Sequence, residues 1–207
     1  MNKYLLLLVL AISLFSCKKN STPTVSAYTY YPMKPGNYWV YEWFYTDTTG
    51  VYTGNSGPAD SIVVRTDTLI RGNTYYILDD YNGASLGGIF RDSSGYLVDV
   101  TGKIYFSAQN FSHVLNTDTL FVGNTSMPNV IFSWMMYNNV AAVTPAANFN
   151  TIQYKGTFIY DSLFGTNPKY YVADDYAQNT GLVLSHEFFE DNPDKIVDIK
   201  LLRYHVQ

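Results

Sequence analysis

The chain has 207 residues, a formal net charge of −4 and a strongly aromatic composition, with 20 Tyr, 12 Phe and 3 Trp. Nucleic acids are bound by clustered basic faces, so the acidic balance argues against a nucleic-acid partner. The length suits one domain, and a composition rich in Tyr, Thr and Val but poor in Lys and Glu favours β-structure. Cys17 is the only cysteine, which excludes an internal disulfide and leaves stability to the core.

The N-terminal segment has the parts of an export signal. Lys3 supplies the positive start, and Tyr4–Phe15 is a continuous apolar run. This run is too short to span a bilayer, which takes about 20 residues, and is typical of a signal peptide. We therefore predict a signal peptide over residues 1–16.

The end of this segment, Leu14-Phe15-Ser16-Cys17, resembles the lipobox of bacterial lipoproteins. The resemblance implies that the Cys17 thiol receives diacylglycerol, that cleavage occurs in front of it, and that the new amine is acylated with a fatty acid such as palmitate. Several acyl chains give stable membrane attachment, because each buried CH₂ contributes about 0.8 kcal/mol. The alternative is an incidental cysteine at the end of an ordinary signal peptide.

Residues 17–31 are predicted to form the lipidated cysteine and a flexible tether, because Ser, Thr and Pro dominate the first half and no periodic apolar pattern is present. Surface-exported lipoproteins of the Bacteroidota type often carry acidic residues directly after the cysteine, whereas this chain has Lys18 and Lys19. The comparison implies an outer-membrane lipoprotein of the cell envelope that faces the periplasm rather than the cell surface. Its partner is then the membrane, reached through the N-terminal lipid.

The clearest strand is Tyr38–Thr46, in which Trp39, Tyr41, Trp43 and Tyr45 alternate onto one face. The opposite face is also largely apolar, so this strand is predicted to be covered on both sides.

The following runs predict a succession of antiparallel strands joined by short turns. Residues 60–70 and 74–80 flank a Gly turn and predict a hairpin. Further strands are predicted over residues 88–92, 96–100, 103–108, 118–122, 130–137, 151–161, 169–174, 182–189 and 196–206. The stretch 138–150 is ambiguous between strand and a short helix, which Pro145 would limit. We predict one all-β domain over residues 32–207, built as a single antiparallel meander with at most one short helix.

The opening of this domain, residues 31–41, contains Gly36-Asn37-Tyr38-Trp39-Val40-Tyr41. It resembles the Gly-Asn-x-Trp-x-Tyr opening of Bacteroidota-type lipoproteins whose function is unknown. Residues 145–149, 170–173 and 180–183 resemble later landmarks of the same proteins, although Ala147 stands where they usually have Gly. The resemblance implies a sheet curved into a half barrel or open barrel, and it implies no activity.

No catalytic or metal-binding constellation is evident, so we predict that the protein is not an enzyme and has no cofactor. The histidines His113, His186 and His205 have no ligand spacing, and no Gly-x-Ser-x-Gly motif is present. The acidic pairs at 79–80, 174–175 and 190–191 are interpreted as strand-end or turn residues.

The aromatic excess is the main functional indication. Tyr and Trp suit ligand grooves and interfaces, which makes Trp39, Tyr41, Trp43 and Tyr45 candidate ligand contacts. One hypothesis is a non-catalytic binding or accessory lipoprotein that holds an apolar ligand or a protein partner. The alternative is a carbohydrate-binding module whose exposed rings stack on a glycan. The rings could equally serve only to fill the core of a sheet without disulfides.

Five segments resemble the Asp-(Ser/Thr)-apolar or Asp-(Ser/Thr)-Thr motif for O-glycosylation in exported Bacteroidota-type proteins. The candidate acceptors are Thr48, Ser61, Thr68, Thr119 and Ser162. The same tripeptides are also natural turn-into-strand sequences.

Replacing Cys17 with Ser is expected to abolish lipidation and membrane attachment, because Cys17 is the sole predicted lipid acceptor. The measurement is incorporation of labelled palmitate together with detergent-phase partitioning in the native host. A Cys17→Ser protein that still incorporates palmitate and enters the detergent phase would contradict the lipoprotein prediction.

Overall fold

The computed structural model describes residues 24–47, 49, 51–55, 60–81, 87–120, 130–161, 171–189 and 192–207. Cys17, Thr48 and Ser162, which carry predictions made above, lie outside these residues. In the described part of the chain, no helix is long and apolar enough to cross a membrane. The regular structure there is β-strand, apart from a 3₁₀ helix at Ala27–Thr29.

The strands are numbered in chain order. They are β1 (Tyr38–Asp47), β2 (Tyr52–Asn55), β3 (Asp60–Ile70), β4 (Asn73–Tyr81), β5 (Gly88–Ser93), β6 (Tyr96–Asp99), β7 (Ile104–Ser107), β8 (Asn116–Leu120), β9 (Val130–Val143), β10 (Asn148–Asp161), β11 (Val172–Ala177), β12 (Gly181–Phe189) and β13 (Asn192–His205).

All of these strands belong to one antiparallel sheet. Its order is β7-β6-β5-β4-β3-β1-β13-β12-β11-β10-β9-β8, with β2 paired to β1. Two meanders, β3 to β7 and β8 to β13, are therefore joined through β1, which pairs with β3 on one side and with β13 on the other. The sheet curves into a nearly closed barrel with one unsealed seam. The prediction of an all-β open barrel is confirmed.

The seam lies between β7 and β8, where side chains replace the backbone ladder. The Asn116 amide donates to the backbone carbonyl of Ile104 and, at 2.7 Å, to the Tyr154 hydroxyl. Lys103 Nζ lies 3.4 Å from Asp118 Oδ2 across the same gap. These contacts shield two strand edges that would otherwise present unpaired backbone groups.

The ambiguous stretch 138–150 is the tip of the β9–β10 hairpin, so the short-helix alternative is wrong there. Ala142 pairs with Phe149 and Val143 with Asn148, and Pro145 occupies the turn between them. Ala favours helix, and both Ala and Asn are depleted in strands, so the long ladder with the neighbouring strand overrides the local preference.

The core of the barrel is anchored by β1. Trp39 and Tyr41 are fully buried, and both reach across β13. The Trp39 indole donates to the carbonyl of Thr180 at 2.5 Å, and the Tyr41 hydroxyl donates to the carbonyl of Leu182 at 3.0 Å. Gly181 has a φ of +114°, and a Cβ there would lie 2.8 Å from Trp39 Nε1. Glycine is therefore required both for the backbone conformation and for the approach of the indole.

Residues 26–33, which we call the plug segment, cover one end of the barrel. Ala27, Tyr31 and Met33 are buried, and the Ala27 amide donates to Asp92 at 3.0 Å. The amide of Asn179 donates to the backbone carbonyl of this segment at Thr29, at 2.7 Å. The folded domain thus includes the last residues of the range predicted as a tether.

Trp39→Ala is expected to reduce the free energy of unfolding by about 3–5 kcal/mol, because it removes a large buried ring and leaves the Thr180 carbonyl unpaired. Thermal and urea unfolding measure the change. Leu69→Ala is the matched control, because Leu69 is 72% exposed and its truncation should change stability by less than about 0.5 kcal/mol. Equal stability of the two variants would contradict the assignment of Trp39 to the core.

Candidate functional site

A cavity of about 390 Å³ lies along β8, β9, β11 and β12. This volume lies in the range of small-molecule sites, about 300–1,000 Å³. Prominent lining residues are Asp118, Phe132, Trp134, Asp174, Ser185 and Glu187.

The polar side of the cavity is formed by β11 and β12. Asp174 and Ser185 face each other in the ladder, so their side chains share one face of the sheet. The Ser185 hydroxyl donates to Asp174 Oδ1 at 2.6 Å and lies 3.5 Å from Glu187 Oε1. Two carboxyl groups are therefore grouped around one hydroxyl.

Burial raises the pKa of the Asp174 carboxyl from 3.8 to about 7, although the hydrogen bond from Ser185 acts to lower it. The negative charges of Glu187 and Asp175 raise it further. Burial also raises the pKa of Glu187. Raised carboxyl pKa values in a cavity are typical of functional positions, because a group kept only for stability would not be placed where its charge is unfavourable.

The apolar side of the cavity consists of aromatic rings on β9. Trp134 stacks on Tyr154, with the ring centroids 4.5 Å apart, and Phe132 lies 6.2 Å from Trp134. Gly156 leaves room for both rings, because a Cβ there would lie 3.1 Å from Trp134 and 3.2 Å from Phe132. The buried indole Nε1 of Trp134 has no hydrogen-bond partner among the described residues.

A second cavity of about 220 Å³ continues toward the plug segment. Asp174 and Glu187 line it together with Tyr31 and Tyr176. The two carboxyl groups are thus shared by both cavities. Between the second cavity and the plugged end, the interior is filled by side chains, since Tyr31 packs on Trp39 with the ring centroids 5.1 Å apart.

The pleat turns His186, which lies between Ser185 and Glu187, toward the other face of the sheet. His186 Nδ1 lies 2.7 Å from Asp198 Oδ1, and its ring stacks on Tyr171 at 4.2 Å. Burial alone would raise the pKa of Asp198, but the bond to His186 and the charge of Lys200 hold it below its ordinary value. His186 therefore forms a chain of ionic contacts with Asp198 and Lys200, although it also lies in the lining of the main cavity.

No group of three or more potential metal ligands occurs within the described ranges. His113 is exposed in the loop before β8, and His205 stacks on Tyr38 at the end of β13. The three histidines are thus held in separate surroundings.

The aromatic residues proposed from sequence as ligand contacts all belong to β1, outside the strands that form the main cavity. Trp39 and Tyr41 are fully buried and pack the core, whereas Trp43 and Tyr45 are half-buried against it. Sequence reasoning missed the carboxyl group at Asp174. Its interpretation as a strand-end or turn residue is wrong, because β11 continues to Ala177.

The candidate glycosylation sites have different surroundings. Ser61 and Thr68 are half-buried in β3, while Thr119 is exposed on β8 at the edge of the main cavity. An O-glycan needs an exposed hydroxyl, so Thr119 has the most accessible position of these three. Its modification stays a prediction.

Two solved structures are similar to this chain at low sequence identity. One is a Bacteroides fragilis protein described as exported, with a YMCC-like fold; it has 14% identity, a TM-score of 0.39, and coverage of 83% of this chain and 96% of its own. The other is a Parabacteroides distasonis protein described as a lipoprotein, with 12% identity, a TM-score of 0.38, and coverage of 84% and 96%. No family model matches the sequence, and no curated protein matches it.

Asp174→Asn is expected to stabilise the domain at about pH 8 and to have a smaller effect near pH 4. The raised pKa means that the folded state holds the proton more tightly than the unfolded state. The contribution of Asp174 to stability is therefore greatest below its unfolded pKa of 3.8 and is lost as the pH rises toward its folded pKa of about 7. Asparagine removes this loss and still accepts the Ser185 hydrogen bond. Each kcal/mol gained should raise Tm by about 2–4 °C in a domain of this size.

The measurement is thermal unfolding by circular dichroism across this pH range. Asp67→Asn is the control, because Asp67 is exposed on β3. A variant at Asp174 whose Tm follows the unsubstituted protein at every pH would show that this carboxyl is not held in an unfavourable environment.

Proposed function

We propose that this protein is a non-catalytic, lipid-anchored binding protein of the cell envelope, and that its barrel holds a small apolar or amphipathic ligand. The observation that carries the proposal is the cavity of about 390 Å³, with aromatic rings on one side and a few polar groups on the other. This combination is typical of small-molecule sites, in which apolar walls supply affinity and polar groups fix orientation.

The lipid anchor rests on the sequence at Cys17 and its preceding apolar run. The plug segment supports the arrangement, because it leads the chain from the N-terminal side onto one end of the barrel. The second cavity lies between the plug segment and the main cavity. The lipidated segment would therefore join the domain at the end of the barrel that the plug segment covers.

The carbohydrate-binding alternative requires at least two coplanar exposed rings on one face. Trp39 is fully buried, and Trp43 and Trp134 are partly buried. The arrangement of the three tryptophans therefore favours an interior ligand over stacking on a surface glycan.

Binding of the neutral apolar fluorophore N-phenyl-1-naphthylamine to residues 17–207 carrying Cys17→Ser tests the proposal without detergent. We expect a saturable rise in fluorescence with one site per chain. Val172→Trp should weaken binding by about tenfold or more, because Val172 lines the main cavity and a larger ring would fill it. Val143→Trp is the matched control, since Val143 is 67% exposed at the β9–β10 tip.

Circular dichroism and Tm establish that both variants are folded. The proposal is contradicted if the unsubstituted protein shows no saturable binding, or if folded Val172→Trp binds the fluorophore as tightly as Val143→Trp.

A further inference from the structure

The carboxyl groups of Asp174 and Glu187 line a cavity whose described lining contains no lysine or arginine, and His186, which also lines it, is bound to Asp198. The charged groups that act on Asp174 are themselves acidic, and Ser185 is the hydrogen-bond donor that favours its ionised form. Burying carboxylates without a partner is unfavourable, and such an arrangement is expected where a ligand supplies the missing charge.

Three lysines near the cavity whose side chains the structure describes each contact a group other than Asp174 and Glu187. Lys103 pairs at 3.4 Å with Asp118, a third carboxylate of the cavity lining, and Lys200 pairs with Asp198 at 3.2 Å. Lys155 Nζ lies 4.1 Å from the centroid of the Tyr171 ring. In the part of the chain that the structure describes, these contacts leave Asp174 without a resident counter-charge, while Glu187 is influenced by the charge of His186, which is itself bound to Asp198.

The opposite wall has the chemistry that favours an organic cation over an inorganic one. Trp134 and Phe132 present aromatic rings to the same cavity, and ring faces attract ammonium groups, most strongly for Trp. An inorganic ion would leave these rings and most of the cavity volume without contacts. An alkyl chain attached to an ammonium group would use both.

We propose that the ligand of this cavity is an amphipathic organic amine, whose ammonium group lies between Asp174, Glu187 and the Trp134 ring and whose alkyl chain occupies the remaining volume. This inference depends on the proposed binding function and specifies its ligand class. It explains why two carboxyls are kept in the interior at the expense of stability, since function commonly retains locally unfavourable groups.

Three probes with the same ten-carbon chain separate charge from apolarity: decylammonium, decan-1-ol and decanoate. Each displaces N-phenyl-1-naphthylamine from residues 17–207 carrying Cys17→Ser, at concentrations below micelle formation and at about pH 8, where an alkylamine is still protonated. We expect decylammonium to bind at least about tenfold more tightly than decan-1-ol, and decanoate to bind most weakly.

The double variant Asp174→Asn, Glu187→Gln should lose this preference, with decylammonium binding falling to the level of decan-1-ol while the alcohol is unaffected. Asp67→Asn, which neutralises an exposed carboxyl on β3, should keep the preference and controls for net charge. Circular dichroism verifies folding of each variant.

Equal binding of decylammonium and decan-1-ol, or tighter binding of decanoate, would overturn the amine assignment and leave the proposed function intact. Retention of the preference in the folded double variant would also overturn it. Failure of the unsubstituted protein to bind the fluorophore would instead contradict the proposed function itself.

Discussion

The hydrogen bond from the Trp39 indole to the carbonyl of Thr180 connects residues 141 positions apart in the chain, and the barrel is organised around this contact. Trp39 lies on β1, the strand that joins the two meanders. Its indole crosses β13 and meets the backbone just before β12, at a point where Gly181 provides the space. Because both partners are buried, breaking the bond would leave unpaired polar groups in the core, at about 1–3 kcal/mol each.

Around this contact the barrel is packed with side chains at one end, whereas the main cavity lies toward the other end. Tyr31, Tyr176 and Phe106 continue the aromatic packing from Trp39, with Phe106 and Tyr176 only 4.4 Å apart between ring centroids. This packed end provides the stability that a chain without disulfides must obtain from its core. The main cavity lies beside β8, next to the seam, where Asn116 makes side-chain contacts in place of a ladder. At that strand the wall has a backbone ladder on one side only, with β9, and low local stability is common at ligand sites.

Much of the fold could be predicted from the sequence, because the relevant signals are local. The period-two pattern of residues 38–46 identified β1 and the side chains that share one face. It did not identify that face as the core side, because the opposite face also looked apolar, although Tyr38 on it is exposed. Turn glycines with the hairpin pattern around residues 71–72 set the bounds of β3 and β4 within a residue or two. The segment 138–150 could not be assigned, since its Ala residues favour helix, its Val residues favour strand and Pro145 disfavours both. Its conformation comes from the twelve-pair ladder between β9 and β10, which no local pattern reveals.

The export signal and the candidate lipid acceptor Cys17 are conclusions of the sequence by itself, because a targeting segment is read as a linear pattern. The candidate site was decided only by the tertiary structure. Asp174 and Glu187 lie on different strands, and the β11–β12 ladder directs both side chains into the barrel. Their burial depends on how the whole sheet curves, as does the placement of Trp134 across from them. Curvature brings together strands that are distant in the chain, so the sequence alone could not distinguish a solvated acid from a buried one.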